Sequence, residues 1–267
     1  MTGRQRMKLI FITQDDPFYV RCFFEEFFRI YPFPKEIEAV IIQRPMGKKS
    51  MAQLIRQMVG FYGWEDFARM GLRYVWAKNL NFVGKLFSRT EWLNINELCH
   101  VHGPRVLYKN DLHHSDFLNE IRARGIDLII SVAAPTIFRQ ELIDLPPLGC
   151  INIHHAPLPR YKGMMPNFWQ LYHGEKTVGI TIHKINRRID EGEIILQKVV
   201  AVIPGESLDA LIKRTKRLGA HCMAEAIEMV RNGAVRPIEN RTDQASYFSF
   251  PTKHDVRKFR QMGHRLL

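Results

Sequence analysis

The chain has only four cysteines in 267 residues, Cys22, Cys99, Cys150 and Cys222, and no two of them form a Cys-x-x-Cys pair. That argues against a disulfide-framed secreted scaffold and for a reduced, cytoplasmic protein. Long apolar runs are also missing, and nothing approaches the roughly 18 residues that a spanning helix needs. LIFI near the N-terminus follows basic residues but is too short for a signal-peptide core, and no small-residue cleavage site follows it. It reads as the start of a first strand. No internal repeat or low-complexity tract occurs, so a solenoid has no support. GxGxxG, P-loop and GxSxG are all absent, which leaves dinucleotide, P-loop nucleotide and α/β-hydrolase chemistry without a motif. Acid is scarce relative to base: 27 Asp and Glu stand against 39 Lys and Arg, a formal charge of +12. Such a surface concentrates anions, whether nucleic acid, a nucleotide-linked substrate, a polyglutamylated cofactor or an anionic membrane surface.

What is present suits a soluble globular protein, with 46% hydrophobic and 25% charged residues. KLIFITQ (8–14) and EAVIIQ (38–43) read as strands around an aromatic helix over 18–30, a parallel βαβ unit. Residues 45–98 are less regular; Phe61, Trp64, Ala68, Leu72 and Val75 recur at helical spacing and predict a helix whose apolar face packs on the main core. Strands follow at 105–111, 127–133 and 150–156, the second apolar enough to be buried on both faces, with a helix capped by Ser115 over 115–124. Pro166 opens a short helix, 178–185 and 193–202 read as strands, and Ser207 caps a long helix ending before Gly233. From Arg236 the chain reads as a basic, solvated tail.

Chemistry concentrates in two places. In INIHHAPLPRYKG (151–163), Asn152 and His154 are two apart on a strand and emerge on one face, while His155 points the other way. Ligand crevices of open α/β sheets form outside the carboxyl ends of strands, where this pair falls. In INRRIDEGEIILQ, Asp190 sits in a turn before Gly192; brought close to His154, its carboxylate would fix the imidazole tautomer and stabilise the protonated ring. Cys99, His100, His102, His113 and His114 do not follow a structural zinc spacing, and no metal is expected there.

NIHHAPLPRYKG with IDEGEIILQ, together with the preceding SVAAPTIFRQELIDLPPLGCINIHH, resembles the folate-dependent formyltransferase superfamily, over about residues 100–232. The N-terminal third matches only in its Rossmann-like beginning. The resemblance implies an α/β, Rossmann-like formyltransferase fold, with a mostly parallel twisted sheet and helices on both faces. It implies a catalytic domain over 1–235 with a helical insertion around 45–98, and a basic extension over 236–267. The implied reaction is formyl transfer from 10-formyltetrahydrofolate to an amine, with Asn152, His154 and Asp190 catalytic. Asn152 would offer a donor to the developing oxyanion, His154 would bond that oxygen or shuttle the amine proton, and Asp190 would orient His154. Folate is expected against Thr136, Ile137, Phe138 and Leu142, and against the loop reaching Asp190 through Ile189.

Two departures bear on the acceptor. Many relatives carry Pro-Ser or His-Ser after the catalytic His, where this chain has His155 and Ala156. Members that formylate initiator tRNA continue into a C-terminal β-barrel, whereas about 35 residues follow the long helix here, which lowers the tRNA reading. A double His and a PNFW-like helix start also occur in relatives that formylate nucleotide-linked amino sugars, so a small, anionic amine acceptor is favoured. The alternatives are hydrolysis of formyltetrahydrofolate, methionyl-tRNA formylation, and a non-catalytic anion- or RNA-binding module.

Overall fold

The computed structural model describes residues 6–44, 50–87 and 94–267; the leading MTGRQ and parts of the expected 45–98 insertion lie outside the described residues. Seven strands make one sheet: β1 (Leu9–Gln14), β2 (Ile37–Gln43), β3 (Arg105–Tyr108), β4 (Leu128–Val132), β5 (Cys150–His154), β7 (Thr177–Lys184) and β8 (Ile194–Ala201). The order is β3-β2-β1-β4-β5-β7-β8. The first five are parallel, and β7 and β8 run antiparallel at one edge.

Strand alternation sorts the core into two layers. Leu9, Phe11, Val40, Ile130, Ile151 and Ile153 face α1 (Val20–Ile30), α3 (Ile95–His102) and α7 (Leu208–Arg231). Ile10, Ile12, Ile41 and Ile129 face α4 (Ser115–Arg124) and α5 (Gln140–Ile143) on the other side. The mostly parallel sheet with helices on both faces is therefore the observed fold, and neighbouring residues on any inner strand serve opposite layers. Ser207 caps α7 by accepting from Ala210 N, while α4 is capped by His114, one residue before Ser115.

Two expectations need correction. The helix α2 (Met51–Phe87) exists, but Gly63 at φ 74° and ψ 170° breaks it, so the faces before and after are out of phase. Phe61, Tyr62 and Met70 are buried, whereas Trp64, Ala68, Leu72 and Val75 face outward instead of packing on the core. The segment from Arg236 is not a solvated tail either. It forms β9 (Tyr247–Phe248), paired with β6 (Lys162–Gly163), and α8 (Lys253–Gln261), whose Thr252 and Asp255 make a capping box. Val256, Phe259 and Leu266 are buried with Phe61, α6 (Pro166–Tyr172) and Leu211, completing a third cluster beside the sheet edge. Two apolar residues three apart among Lys and Arg are too few for a periodicity to be read in nine residues.

One buried ion pair ties α7 back to the start of β2. Arg231 donates from both Nη atoms to Glu36, at 2.6 and 3.0 Å, and Tyr31 donates to the same carboxylate at 2.8 Å. Because both charged side chains are almost wholly buried, removing one strands the other. Arg231→Met is expected to cost about 3–5 kcal/mol in urea unfolding, and the double variant with Glu36→Gln to recover part of that loss; an unchanged midpoint in the single variant contradicts this account.

Candidate active site

β5 delivers the expected pair. Ile151 and Ile153 belong to the α7-side layer and Cys150 to the α4 side, so Asn152 and His154 project together from the α4 side at the strand end. Asp190 reaches them from the turn between β7 and β8, with its Oδ2 3.6 Å from His154 Nδ1. A fourth side chain, His183 of β7, completes the cluster: Asn152 Nδ2 donates to His183 Nε2 at 3.1 Å, and the same nitrogen stands 3.6 Å from Asp190 Oδ1. Sequence reasoning missed His183. Its signal was the antiparallel pairing that sets Asn152 opposite His183, visible only once β5 and β7 are known to be neighbours.

The Asp190 turn is held from three sides. Gly163 N donates to Asp190 Oδ2 at 2.9 Å, Asn240 Nδ2 donates to the carbonyls of Asp190 and Gly192, and a Cβ on Gly192 would lie 1.7 Å from Lys184 O. Asp190 itself sits at φ 54°. The other non-glycine residues in left-handed conformation among the described ones are Ala133, Tyr161 and Met165, and all border this region. Such backbone persists only where its surroundings over-determine it, and it gathers at functional sites.

Protonation follows from the contacts. His154 Nε2 donates to Tyr161 O at 2.8 Å, which leaves Nδ1 as a lone pair facing Asp190. Burial pulls the His154 pKa below the ordinary imidazole value, against the opposing charge of Asp190, so the ring is neutral at neutral pH. Burial would raise the Asp190 carboxyl, but His154, the His183 contact and the Gly163 N–H hold it below the usual carboxylate range. Of these, the Gly163 N–H is independent of the charge on either ring, since His183 Nε2 accepts from Asn152. His183 Nδ1 donates to Lys184 O at 2.8 Å.

His155 points to the other layer, against Gly219 of α7, where a Cβ would come 3.1 Å from its ring. Both of its ring nitrogens are buried without a hydrogen-bond partner among the described residues. It lines a cavity of about 560 Å³ together with Asp16, Ala133, Met165, Phe168 and Lys216, at the carboxyl ends of β1, β4 and β5. Asn152, His154 and Asp190 do not line that space; His154 directly precedes the cavity-lining His155 on the chain. Lys216 is buried, and no described carboxylate pairs with it; burial brings its pKa down to about 8, with Asp16 and Cys22 pulling the other way. Ala156 is fully buried, and its carbonyl accepts from Thr181 Oγ1. A hydroxyl at that position would enter a packed cluster rather than the cavity.

Of the residues expected to meet folate, Ile137 and Ile189 are exposed, Thr136 Oγ1 accepts from Gln43, and Phe138 and Leu142 are buried in the α4-side layer. Arg187 donates to Gln140, which brings the loop before Asp190 against the segment after β4. Cys99 is buried in the core, and His113 bonds Ile137 O through Nε2.

Residues 79–227, more than half of the chain, match the family described as formyl transferase. The chain belongs to the formyl transferase family. Among curated formyl transferases it is 30% identical over 206 residues to the methionyl-tRNA formyltransferase of Kosmotoga olearia, covering 73% of this chain and 66% of that one. It is 34% identical over 143 residues to that of Pelobacter propionicus, covering 54% and 45%. The chain thus spans about half to two thirds of the length of the curated relatives it matches. Among solved structures, the phosphoribosylglycinamide formyltransferase from Anaplasma phagocytophilum aligns with TM-score 0.59 at 14% identity, covering 92% of this chain and 99% of that one. The sugar 3N-formyl transferase WlaRD, crystallised in the presence of dTDP and 5-N-formyl-THF, aligns with TM-score 0.58 at 15% identity, covering 98% and 83%. Both likenesses bear on the formyl transferase fold.

The neutral, unbonded state of His155 has a consequence for stability. Its folded pKa lies well below 6.5, chiefly through burial and then the Lys216 charge, so below pH 6.5 the unfolded chain takes up a proton that the folded ring refuses. Its contribution is therefore present above pH 6.5 and lost on acidification. His155→Leu is expected to reduce the loss of urea-unfolding free energy between pH 7 and pH 5 by about 2 kcal/mol; equal losses in both proteins refute the assignment.

Proposed function

We propose that this chain transfers a formyl group from 10-formyltetrahydrofolate to a primary amine bearing an anionic group. The observation that carries the reading is the neutral His154 whose free Nδ1 faces the ionised Asp190, beside a cavity containing an unpaired lysine. Bound 10-formyltetrahydrofolate supplies a formyl carbon on nitrogen, an electrophile for an amine. The exposed Ile137 and Ile189, on adjoining loops supported by Phe138 and Leu142 beneath and steadied by Thr136, would hold it.

His154 takes the proton released by the attacking amine at Nδ1 and returns it to the folate nitrogen as the bond between that nitrogen and the formyl carbon breaks, so that tetrahydrofolate leaves and the formamide remains. Asp190, 3.6 Å away, stabilises the imidazolium so formed, and Tyr161 O fixes the ring. Asn152 presents its amide N–H to the oxygen on which charge develops, and His183 orients that amide. Burial of His154 and His183 limits access of water to the proton-transfer step. The acceptor enters the cavity, where Lys216 and the unsatisfied His155 meet an anionic group and Met165 and Phe168 meet an apolar one. A nucleotide-linked amino sugar has this chemistry. The charge of +12 and the methionyl-tRNA formyltransferases among the relatives support a second acceptor, charged initiator tRNA. Four free, buried cysteines fit a reducing cytoplasm as the setting.

Incubation with 10-formyltetrahydrofolate and a panel of nucleotide-linked amino sugars and charged initiator tRNA should give a mass gain of one formyl group on one of them. Formate release at full rate without any amine would instead make the chain a hydrolase. His154→Ala is expected to lower kcat by about 10²- to 10⁴-fold and Asn152→Ala by about 10²- to 10³-fold. Since Asp190 raises the His154 pKa, Asp190→Asn should move the acid limb of the rate profile to lower pH as well as slowing turnover. Undiminished turnover in the His154 variant sinks the assignment.

Lys216 yields a separate outcome. The cost of its buried charge is present in full below about pH 8 and disappears as pH rises toward 10.5, so stability rises across that window. At pH 7, Lys216→Met should stabilise the free protein by about 1–3 kcal/mol while raising the acceptor KM. A destabilised variant with unchanged KM contradicts a ligand-binding role.

A further inference from the structure

We infer that the part of α2 after Gly63 docks the protein on an anionic lipid bilayer surface. Past the break at Gly63 the helix has two unlike faces. One is fastened to the body: Phe67 and Met70 pack in the third cluster, Asp66 accepts from Arg260 Nη2 at 2.8 Å, and Arg73 stands 3.4 Å from Asp209. The other carries Trp64, Leu72, Val75, Trp76 and Phe82, each between 55% and 75% exposed. At about 100° per residue these five fall within an arc of about 120°, an apolar stripe interrupted by Glu65 and Asn79. No described residue covers it, and an exposed apolar face of this size marks an interaction site.

Charge selects the partner. After Gly63 the sequence to Phe87 contains Arg69, Arg73, Lys78 and Lys85 against Glu65 and Asp66, and no acid follows Asp66. Arg69 and Lys78 flank the stripe on its two sides, and two tryptophans lie on it. Tryptophan, leucine and phenylalanine on one face with basic residues beside them describe a helix lying in the plane of a membrane interface, held by apolar burial and by attraction to anionic headgroups. No described helix is long and apolar enough to cross a membrane, so the contact is with the surface. A second copy of the chain is disfavoured, because the helix after Gly63 carries four basic residues against Glu65 and Asp66, and Asp66 is already engaged by Arg69 and Arg260. An anionic bilayer meets the same residues with the favourable sign. The attachments through Phe67, Met70 and Asp66 keep the stripe turned away from the body, so docking requires no unfolding.

The test uses the full chain with vesicles of phosphatidylcholine, alone or mixed with phosphatidylglycerol. Co-sedimentation is expected with the mixed vesicles, to weaken at high salt, and to fall at least about tenfold in Leu72→Glu/Trp76→Glu. Those positions are solvent-exposed, and circular dichroism checks that the variant is folded. A second readout needs no variant: brominated lipid should quench the wild-type tryptophan fluorescence. Wild-type protein that neither sediments nor is quenched overturns the inference, as does equal sedimentation of the folded variant. So does a dimer in sedimentation equilibrium that the variant loses while vesicle binding is absent, which would make the stripe an interface between copies.

Discussion

The pleat of β5 places His154 and His155 in opposite layers, and the two halves of the site follow from that single alternation. His154 turns toward Asn152, His183 and Asp190, where every ring nitrogen has a neighbour that decides its protonation. His155 turns toward α7 and the cavity, where neither nitrogen has one. A polar cluster and a cavity thus share one strand end without sharing a residue. The polar cluster is satisfied within the protein; the cavity leaves the ring nitrogens of His155 without a partner among the described residues.

The energetics differ in the same way. Asp190 is desolvated, yet the Gly163 N–H compensates in part, and Asn240 from the C-terminal segment secures the turn that carries it. Lys216 and His155 are desolvated with no hydrogen-bond or ion-pair partner among the described residues, a state that opposes folding. Arg231 and Glu36 show the third possibility, a buried pair satisfied by its own geometry far from the site.

The basic balance of the chain acquires location in the fold. Part of it lies along the outer side of α2, where it flanks apolar residues that strand and helix packing leave uncovered. Gly63 is responsible: by resetting the helical phase it lets Phe61 and Tyr62 face the body, while Trp64 and the stripe beyond it face away. A single unbroken helix would have buried the apolar face that the spacing of Phe61, Trp64, Ala68, Leu72 and Val75 suggests.

Alternation and local pattern by themselves determined the strands of the parallel sheet, the cap at Ser207, and the shared face of Asn152 and His154, because each depends on residues within a few positions of one another. The family's paired motifs pointed to Asp190 across 36 residues, but could not say what holds it. Only the tertiary structure decided the rest. His183 enters the site through the pairing of β7 with β5, Phe138 and Leu142 prove to be core, and the basic C-terminal segment becomes a packed strand and helix, with Asn240 ahead of them bonded to the Asp190 turn. In each case the determining contact joins residues distant in sequence, so its free energy leaves no periodic trace in either segment. The orphaned nitrogens of His155 belong to this second group, since a missing partner is a property of the surroundings and not of the residue.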